Sequence, residues 1–519
     1  MSFVRLTCSA AAVAALGLLA AQSGSLAQSG VKAKQKTKVE SVADQPVISA
    51  RAPLLAIRPR KSITALTAAE LMSLRKGFAQ MIAWNNAPRG SANFKRSLRY
   101  WANMHSYMGP GCASTSGLDN PGMSGISAQD PTTADEEATW CTCEHGSEQF
   151  LTWHRMYLYY FEKVLQAAAG DSTLRLPYWD YETNGHIPAA YRSPTYVNSD
   201  GQTVANPLYV ANRQADLNSG DGELDEDVVD TSGAMAETSY LPFNDSLEIT
   251  PHGAVHCATG VASCPSGYMG YVPTAGNDPI FYSHHANIDR LYECWLRVAP
   301  AQRLPSGAML DQTFSFINGA GTLVERRVGD MLTTGQLSYR YTAGGGCPAV
   351  RMIRPDLVWR VVPWRTYPLA GPVRLQRGTT VVPLKLPTEL RTQFFANAGP
   401  DRAPARHARL VIDDIRFEAP PGVMYEVALQ GADGRSVTVG VINFFNETAP
   451  AHHGRAAPAT RRKAFNATAA LRAFGPAATE ARLVLRPTTG VVGPRVAAAN
   501  ERINPRSELR FGAARLELR

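Results

Sequence analysis

Eleven histidines punctuate this 519-residue chain, and eight of them fall within its first 285 residues. A lone histidine is usually a hydrogen-bonded core or surface residue. Clustering and spacing change that expectation. In CTCEHGSEQFLTWHRMYLYYFEKVL, residues 141–165, His145 and His154 stand nine residues apart ahead of an aromatic-rich run. Tyr157, Leu158, Phe161, Val164 and Leu165 continue from His154 at helical spacing, so His154 lies on the buried stripe of its helix. Nine residues at ~100° each turn through ~180°, so His145 cannot share that face and must come from the preceding loop. Cys143 stands two residues from it.

His105 ends a second helical segment, FKRSLRYWANMHSYMGPG, with Leu98 and Trp101 at i−7 and i−4 and Gly109-Pro110 as the stop. His252 and His256 form an H-x-x-x-H pair in PHGAVH, whose spacing brings both rings to one face. A fourth helix opens at DPIFYSHHANIDRLYECWLRV, with Asp278 as cap, Pro279 in the first turn, and Phe281, Ile288, Tyr292 and Trp295 facing the core. Periodicity leaves His284 and His285 undecided. Three histidines from the first half and three from the second match two metals with three neutral imidazoles each. The lack of a bridging carboxylate argues against di-iron, magnesium or manganese, and less strongly against a hydrolytic dizinc centre. Copper also suits redox chemistry, because two adjacent one-electron ions can exchange two electrons with O2 and an organic donor.

These side chains need a helical scaffold, and the chain has the size for one. At 45% apolar content it can bury a large core and form two domains. Helical periodicity begins at TAAELMSLRKGFAQMIAW and dominates to about residue 300. Residues 185–245, rich in Gly, Asp, Asn and Ser, read as long surface loops. Beyond RGTTVVPLKLP, runs such as ARLVIDDIRFE, VMYEVALQ, SVTVGVINFF and ARLVLRP alternate between turn residues, which predicts an antiparallel β domain. The expected order is a signal peptide at 1–27, a polar leader at 28–50, a histidine-bearing domain at 51–345, a linker at 346–380 and a β-sandwich at 381–519.

The opening MSFVRLTCSAAAVAALGLLAAQSGSLAQSG reads as an export signal with a small-residue cleavage site at Ser25-Leu26-Ala27, so the protein is expected to be exported, periplasmic or secreted. No later run reaches the ~18–20 apolar residues of a membrane span, so no membrane association is expected after signal removal. The formal charge of +8 comes from dispersed basic residues beside Pro and Ala, the pattern of a solvated surface, and no nucleic-acid partner is expected. Beyond Cys8 in the signal, seven cysteines remain; six can form three disulfides, leaving one for other chemistry. Nothing in the sequence signals a particular oligomeric state.

The segments FLTWHRMYLYYFEKVL, EITPHGAVHCATG and DPIFYSHHANIDRLYECW resemble the tyrosinase, catechol oxidase and hemocyanin family of coupled dinuclear copper proteins, most closely the polyphenol oxidases with a C-terminal domain. LSYRYT resembles the tyrosine motif that closes the catalytic domain in that family, and the later β segments resemble its C-terminal domain. The resemblance implies a mainly α catalytic domain, a four-helix bundle holding two copper ions, followed by the antiparallel β-sandwich. It assigns His105, His145 and His154 to one copper and His252, His256 and His285 to the other, with His284 beside the mouth. It implies a thioether between Cys143 and His145, which would restrain the loop-borne imidazole and account for the odd cysteine. Glu248 would hold a water that takes the phenol's proton. Asp289 either accepts an imidazole N–H or pairs with a nearby arginine. Val272 aligns with the position that gates the first copper, where a small side chain favours catalysis. Gly253 stands where strong phenol hydroxylases of the family tend to carry Asn.

The function so implied is oxidation of o-diphenols to o-quinones by O2, with ortho-hydroxylation of monophenols as a further capacity and small phenols as substrates. The rivals are a hemocyanin-like O2 carrier, which needs a shielded site, and a zinc hydrolase, whose metal would be colourless. By the same resemblance the C-terminal domain is expected to cover the copper entrance.

Overall fold

Capping residues and apolar stripes set the helices that carry the histidines and the helix packed against them. Thr67 opens the helix Ala68–Ala83 through a reciprocal pair with Glu70, and Leu74, Phe78 and Met81 turn inward. Ser97 caps Leu98–His105, and Phe150–Ala169 ends at Gly170 in the left-handed conformation. Asp278 and Pro279 begin Pro279–Val298. Its start is fixed further by a fully buried ion pair of Asp278 with Arg213 at 2.7–2.8 Å. Between these helices Phe161 and Tyr282 stack at 3.6 Å, and Trp101 lies edge-on to Phe161. Burying each such ring contributes about 1.5–3 kcal/mol.

The computed structural model describes residues 57–107, 132–140, 142–260, 267–299, 303–347, 364–395, 407–445 and 461–519. The expected signal and leader lie outside them, as do Cys112, Cys141 and Cys264. Among the described residues no helix is long and apolar enough to cross a membrane.

The helical part is closed by a parallel pairing of Pro59–Arg60 with Arg340–Tyr341, the latter inside LSYRYT. Beneath it the buried Asp289 carboxylate accepts from Arg155 at 2.5 Å, from Tyr339 at 2.5 Å and from Tyr341 at 2.7 Å, while Arg60 donates to Glu162 at 2.8 Å. Burial alone would raise the Asp289 carboxyl, but Arg155, Arg60 and the two phenols hold it below its ordinary range. Of the two roles open to Asp289, the structure chooses the arginine pair.

Residues 185–245 are more ordered than a run of surface loops. They form a hairpin, Thr195–Val197 with Thr203–Ala205, and short helices at Ala189–Arg192, Ala215–Ser219, Glu226–Val229, Ser232–Met235 and Tyr240–Leu247. Tyr191, Leu208, Leu217 and Val228 are fully buried there. The Arg213–Asp278 pair that anchors this segment spans 65 residues, a link that local composition does not display.

The C-terminal part is built of two four-stranded antiparallel sheets. One runs in the order Thr380–Lys385, Glu480–Thr488, Met424–Gly431, Ser436–Ile442. The other runs Arg461–Asn466, Ala408–Ile415, Ala513–Leu518, Arg365–Ala370. Leu384, Val427 and Leu483 from the first share an apolar cluster with Leu410, Phe465 and Leu516 from the second. Two strands fall inside the stretch expected to be a linker: Arg365–Ala370, and Val373–Arg374 paired to Arg510–Phe511. The first is an edge strand with no buried residue, and both read as linker because Pro and Arg interrupt them.

The two parts meet closely. Met424, Val441, Phe445 and Val491 pack into the helical core. Val491–Val492 pairs with Glu223–Leu224, and Arg495 grips the buried Asp216 through its backbone N–H at 2.8 Å and its Nε at 2.6 Å.

Candidate metal centre

Each half of the helical part brings histidines together at one buried point. His105 is the last residue of Leu98–His105, His154 lies one turn into Phe150–Ala169, and His145 comes from the loop before that helix. The His145 ring lies 4.9 Å from His105 and 5.1 Å from His154, centre to centre. The loop position expected for His145 is what the structure has. On the other side His252 lies in Glu248–Gly253, a π-helical stretch broken at Thr250, and His256 in the following helix Ala254–Thr259. His284 and His285 belong to Pro279–Val298. Ligand atoms of His105, Cys143, His145 and His154 lie within 4.8 Å of one another, as do those of His252, His256, His284 and His285.

The ring nitrogens are oriented as metal ligands require. The Nδ1 atoms of His105, His154, His252 and His256 lie 2.8–3.1 Å from the carbonyls of Val272, Phe150, Glu248 and Met269. A carbonyl at Nδ1 requires that nitrogen to carry the proton, which leaves the Nε2 lone pair facing the centre. His256 Nε2 and His285 Nε2 approach to 3.2 Å, and the buried Nε2 of His252 has no hydrogen-bond partner. His285 has no carbonyl at its Nδ1, so its Nε2 can donate to the His256 Nε2 lone pair or turn its own lone pair to a metal, and this convergent set of imidazole nitrogens fits a bound metal. Burial first, then the neighbouring imidazoles, lowers His252, His256 and His285 well below the ordinary histidine range, and burial takes His154 to about 3. Neutral imidazoles are the form a metal binds.

His284 is fully buried within the second group and not at a mouth. Geometry distinguishes it from His285 as follows. The His285 ring stacks on His154 at 4.6 Å and 13°, and so reaches across to the first group. His284 stacks instead on His252 at 5.6 Å and 17°.

Cys143 Sγ lies 3.5 Å from His145 Nδ1 and 3.9 Å from His154 Nε2. Burial, reinforced by the carboxylates of Glu144 and Glu248, raises its thiol well above the ordinary range. The half-buried Glu248 accepts the Gly146 N–H at 2.6 Å, and its carbonyl holds His252, so one residue ties the His145 loop to the second group. Val272 is fully buried and contributes its carbonyl to His105. The aromatic against His105 is Phe281, 4.7 Å away and 4.3 Å from His285.

Sequence reasoning missed the residue that covers the second group. Phe445, from the C-terminal part and 1% exposed, stacks on His256 at 4.0 Å and 8°. It lies 5.7 Å from His252 and 6.4 Å from His145. Strand alternation is the signal that could have found it: of Phe444 and Phe445, only one can enter the β core.

Comparison with known proteins now bears on this geometry. The family described as the common central domain of tyrosinase matches residues 95–238 and 210–298, a span that holds all of these histidines. Residues 95–298 therefore carry a tyrosinase-type central domain, and the chain is similar to the tyrosinase and polyphenol oxidase family of type 3 copper proteins. It is 32% identical to a chloroplastic polyphenol oxidase of Vitis vinifera over 38% of this chain and 37% of that one. It is 33% identical to a tyrosinase of a Hahella species over 39% of this chain and 48% of that one. This chain thus spans less than half the length of these relatives. Among solved structures, latent apple tyrosinase superposes with a TM-score of 0.59 at 20% identity, covering 89% of this chain and 97% of that one. A latent aurone synthase, also described as a polyphenol oxidase, gives 0.57 at 19% identity over 89% of each. The fold is therefore shared across the helical and C-terminal parts. Dinuclear copper is the cofactor of this family, and the two histidine groups fit it.

Proposed function

We propose that this chain is an exported copper polyphenol oxidase. It oxidises o-diphenols to o-quinones, two diphenols and one O2 giving two quinones and two waters. The observation that carries this proposal is the convergence of six imidazoles, five of them buried and His145 half-buried, in two groups: His105, His145 and His154, and His252, His256 and His285. Held there, two copper ions supply two-electron exchange between O2 and a bound phenolate. On this view the histidine-bearing helices act as a four-helix bundle around the metals, and the two C-terminal sheets act as a sandwich over them.

The chain's own groups do the rest. Glu248 takes the phenol's proton through a water, its carboxylate steadied by the Gly146 N–H. Val272 holds His105 by its carbonyl, and its small side chain leaves the substrate side of the first metal to the phenol. Gly253, beside His252, offers no amide to sharpen Glu248 as a base, which favours diphenols over monophenols. Cys143 Sγ bonds to a ring carbon of His145, the S–H and ring C–H each giving up one hydrogen to O2, which leaves as H2O2; the 3.5 Å approach of Sγ to the ring at Nδ1 supports this. The Cys294–Cys347 disulfide and the bonded Cys257 suit an oxidising compartment and so support export.

Phe445 supports a cover. With its ring on His256, the C-terminal domain keeps the enzyme latent until it moves. Cleavage introduced between residues 348 and 363 should raise activity on bulky diphenols; unchanged kinetics after clean cleavage would reject the cover. The same ring favours one rival, because an O2 carrier also needs a shielded site. Copper-loaded protein incubated with catechol under air decides between them. O2 uptake with quinone colour supports the oxidase. Reversible O2 binding without quinone, before and after cleavage, supports the carrier.

A further inference from the structure

Gly253 lies between the second histidine group and the C-terminal domain, and its missing side chain has a geometric consequence. A Cβ built on it would lie 2.5 Å from Asn443 Oδ1 and 3.0 Å from both Cγ and Nδ2 of the same residue. Real Cβ atoms do not approach other atoms so closely, so the Asn443 amide fills the volume that any side chain at 253 would take. That amide has little room to yield. Asn443 is 3% exposed, its Nδ2 donates to the Ile249 carbonyl at 2.7 Å, and its Oδ1 accepts the Phe445 N–H at 3.3 Å. The Phe445 hydrogen bond passes the placement of Asn443 on to the ring stacked on His256. Asn443 and Phe445 thus form a two-pronged plug, one prong in the glycine slot and the other on the imidazole.

We propose that Gly253 is the keyhole through which the C-terminal domain docks on the histidine site, admitting Asn443 and thereby seating Phe445 on His256. This rests on reading that domain as a cover. It joins two properties at one residue: a side chain at 253 that reshapes phenol preference also competes with the docked domain for the same space. Latency and substrate preference cannot vary independently at this position.

The test uses the full chain and two readouts. One is hydrogen exchange of residues 248–256 and 440–445, which needs no turnover. The other is kcat/KM on a bulky diphenol relative to catechol. Overpacking in a well-packed site weakens docking, so Gly253→Ala should speed exchange at both segments by about tenfold. Asn443→Ala, a milder change that removes the Ile249 bond, should also speed it. The double variant should exchange no faster than Asn443→Ala alone, because the methyl added at position 253 then finds vacated space. Gly253→Ala with wild-type exchange, or a double variant in which the two effects simply add, would overturn the keyhole. The second readout tests the cover separately. If exchange follows the pattern above while the diphenol ratio stays constant, the keyhole stands and the cover fails. If linker cleavage raises the ratio but Gly253→Ala leaves exchange unchanged, the cover stands and the keyhole fails.

Discussion

The two histidine groups are built differently. The first draws on a helix end, a loop and a helix start, and its loop member is braced from within by Cys143 and by the Gly146 hydrogen bond to Glu248. The second takes His252 and His256 from adjoining turns of one stretch, has no cysteine among its members, and is braced from outside by Phe445. Order in the first group is thus local to the helical domain. Order in the second depends on a segment about 190 residues further along the chain. The contrast teaches that metal retention and access can be altered separately, each through a different half.

Deleting a ligand from either half gives the largest effect. His154→Ala and His256→Ala should each abolish catechol oxidation and lower bound copper by about one ion per chain. Only His256→Ala should also loosen residues 440–445, because it removes the face on which Phe445 rests. Copper analysis with O2 uptake checks the first statement and hydrogen exchange the second. A His154→Ala protein with wild-type turnover would end the ligand assignment. Next in size is Cys143→Ser, expected to weaken copper retention about ten- to a hundredfold by freeing the His145 loop while the fold melts normally. Intact mass adds a check on the parent protein: a thioether removes two hydrogens, and a Cys143 thiol that alkylates fully contradicts it.

Phe445→Ala should act on the second half alone. Losing a ring stack of about 1 kcal/mol should raise activity on bulky diphenols about fivefold and leave copper content unchanged. The smallest effect is expected at the keyhole. Gly253→Asn should raise the monophenol-to-diphenol rate ratio modestly in an Asn443→Ala background, where the new amide has room beside Glu248. Steady-state rates on tyramine and dopamine measure it, and a ratio unmoved in that background would remove Gly253 from substrate choice.

Much of this centre was legible in the sequence because helix chemistry is local. The cap at Asp278, the stop at Gly109-Pro110 and the stripe from His154 to Leu165 mark the helices, and the nine-residue gap puts His145 in a loop. What was not legible is long-range. The Arg213–Asp278 pair, the docking of Asn443 against Gly253 and the stacking of Phe445 on His256 join residues about 65 to 190 positions apart, and no local pattern says which residue meets which. The Arg365–Ala370 strand was hidden by its own composition, since Pro368 sits within it, at the outer edge of its sheet.

That same sheet sets an order of events. Its strand Ala513–Leu518, among the last residues of the chain, lies between Ala408–Ile415 and Arg365–Ala370 and supplies the pairing on one side of each. During synthesis the helical domain emerges while this strand has yet to appear, so the proposed cover would assemble after the histidine groups can form. On that reading metal would have a window in which to reach a folded, uncovered site, and a truncation that removes this strand should lengthen that window.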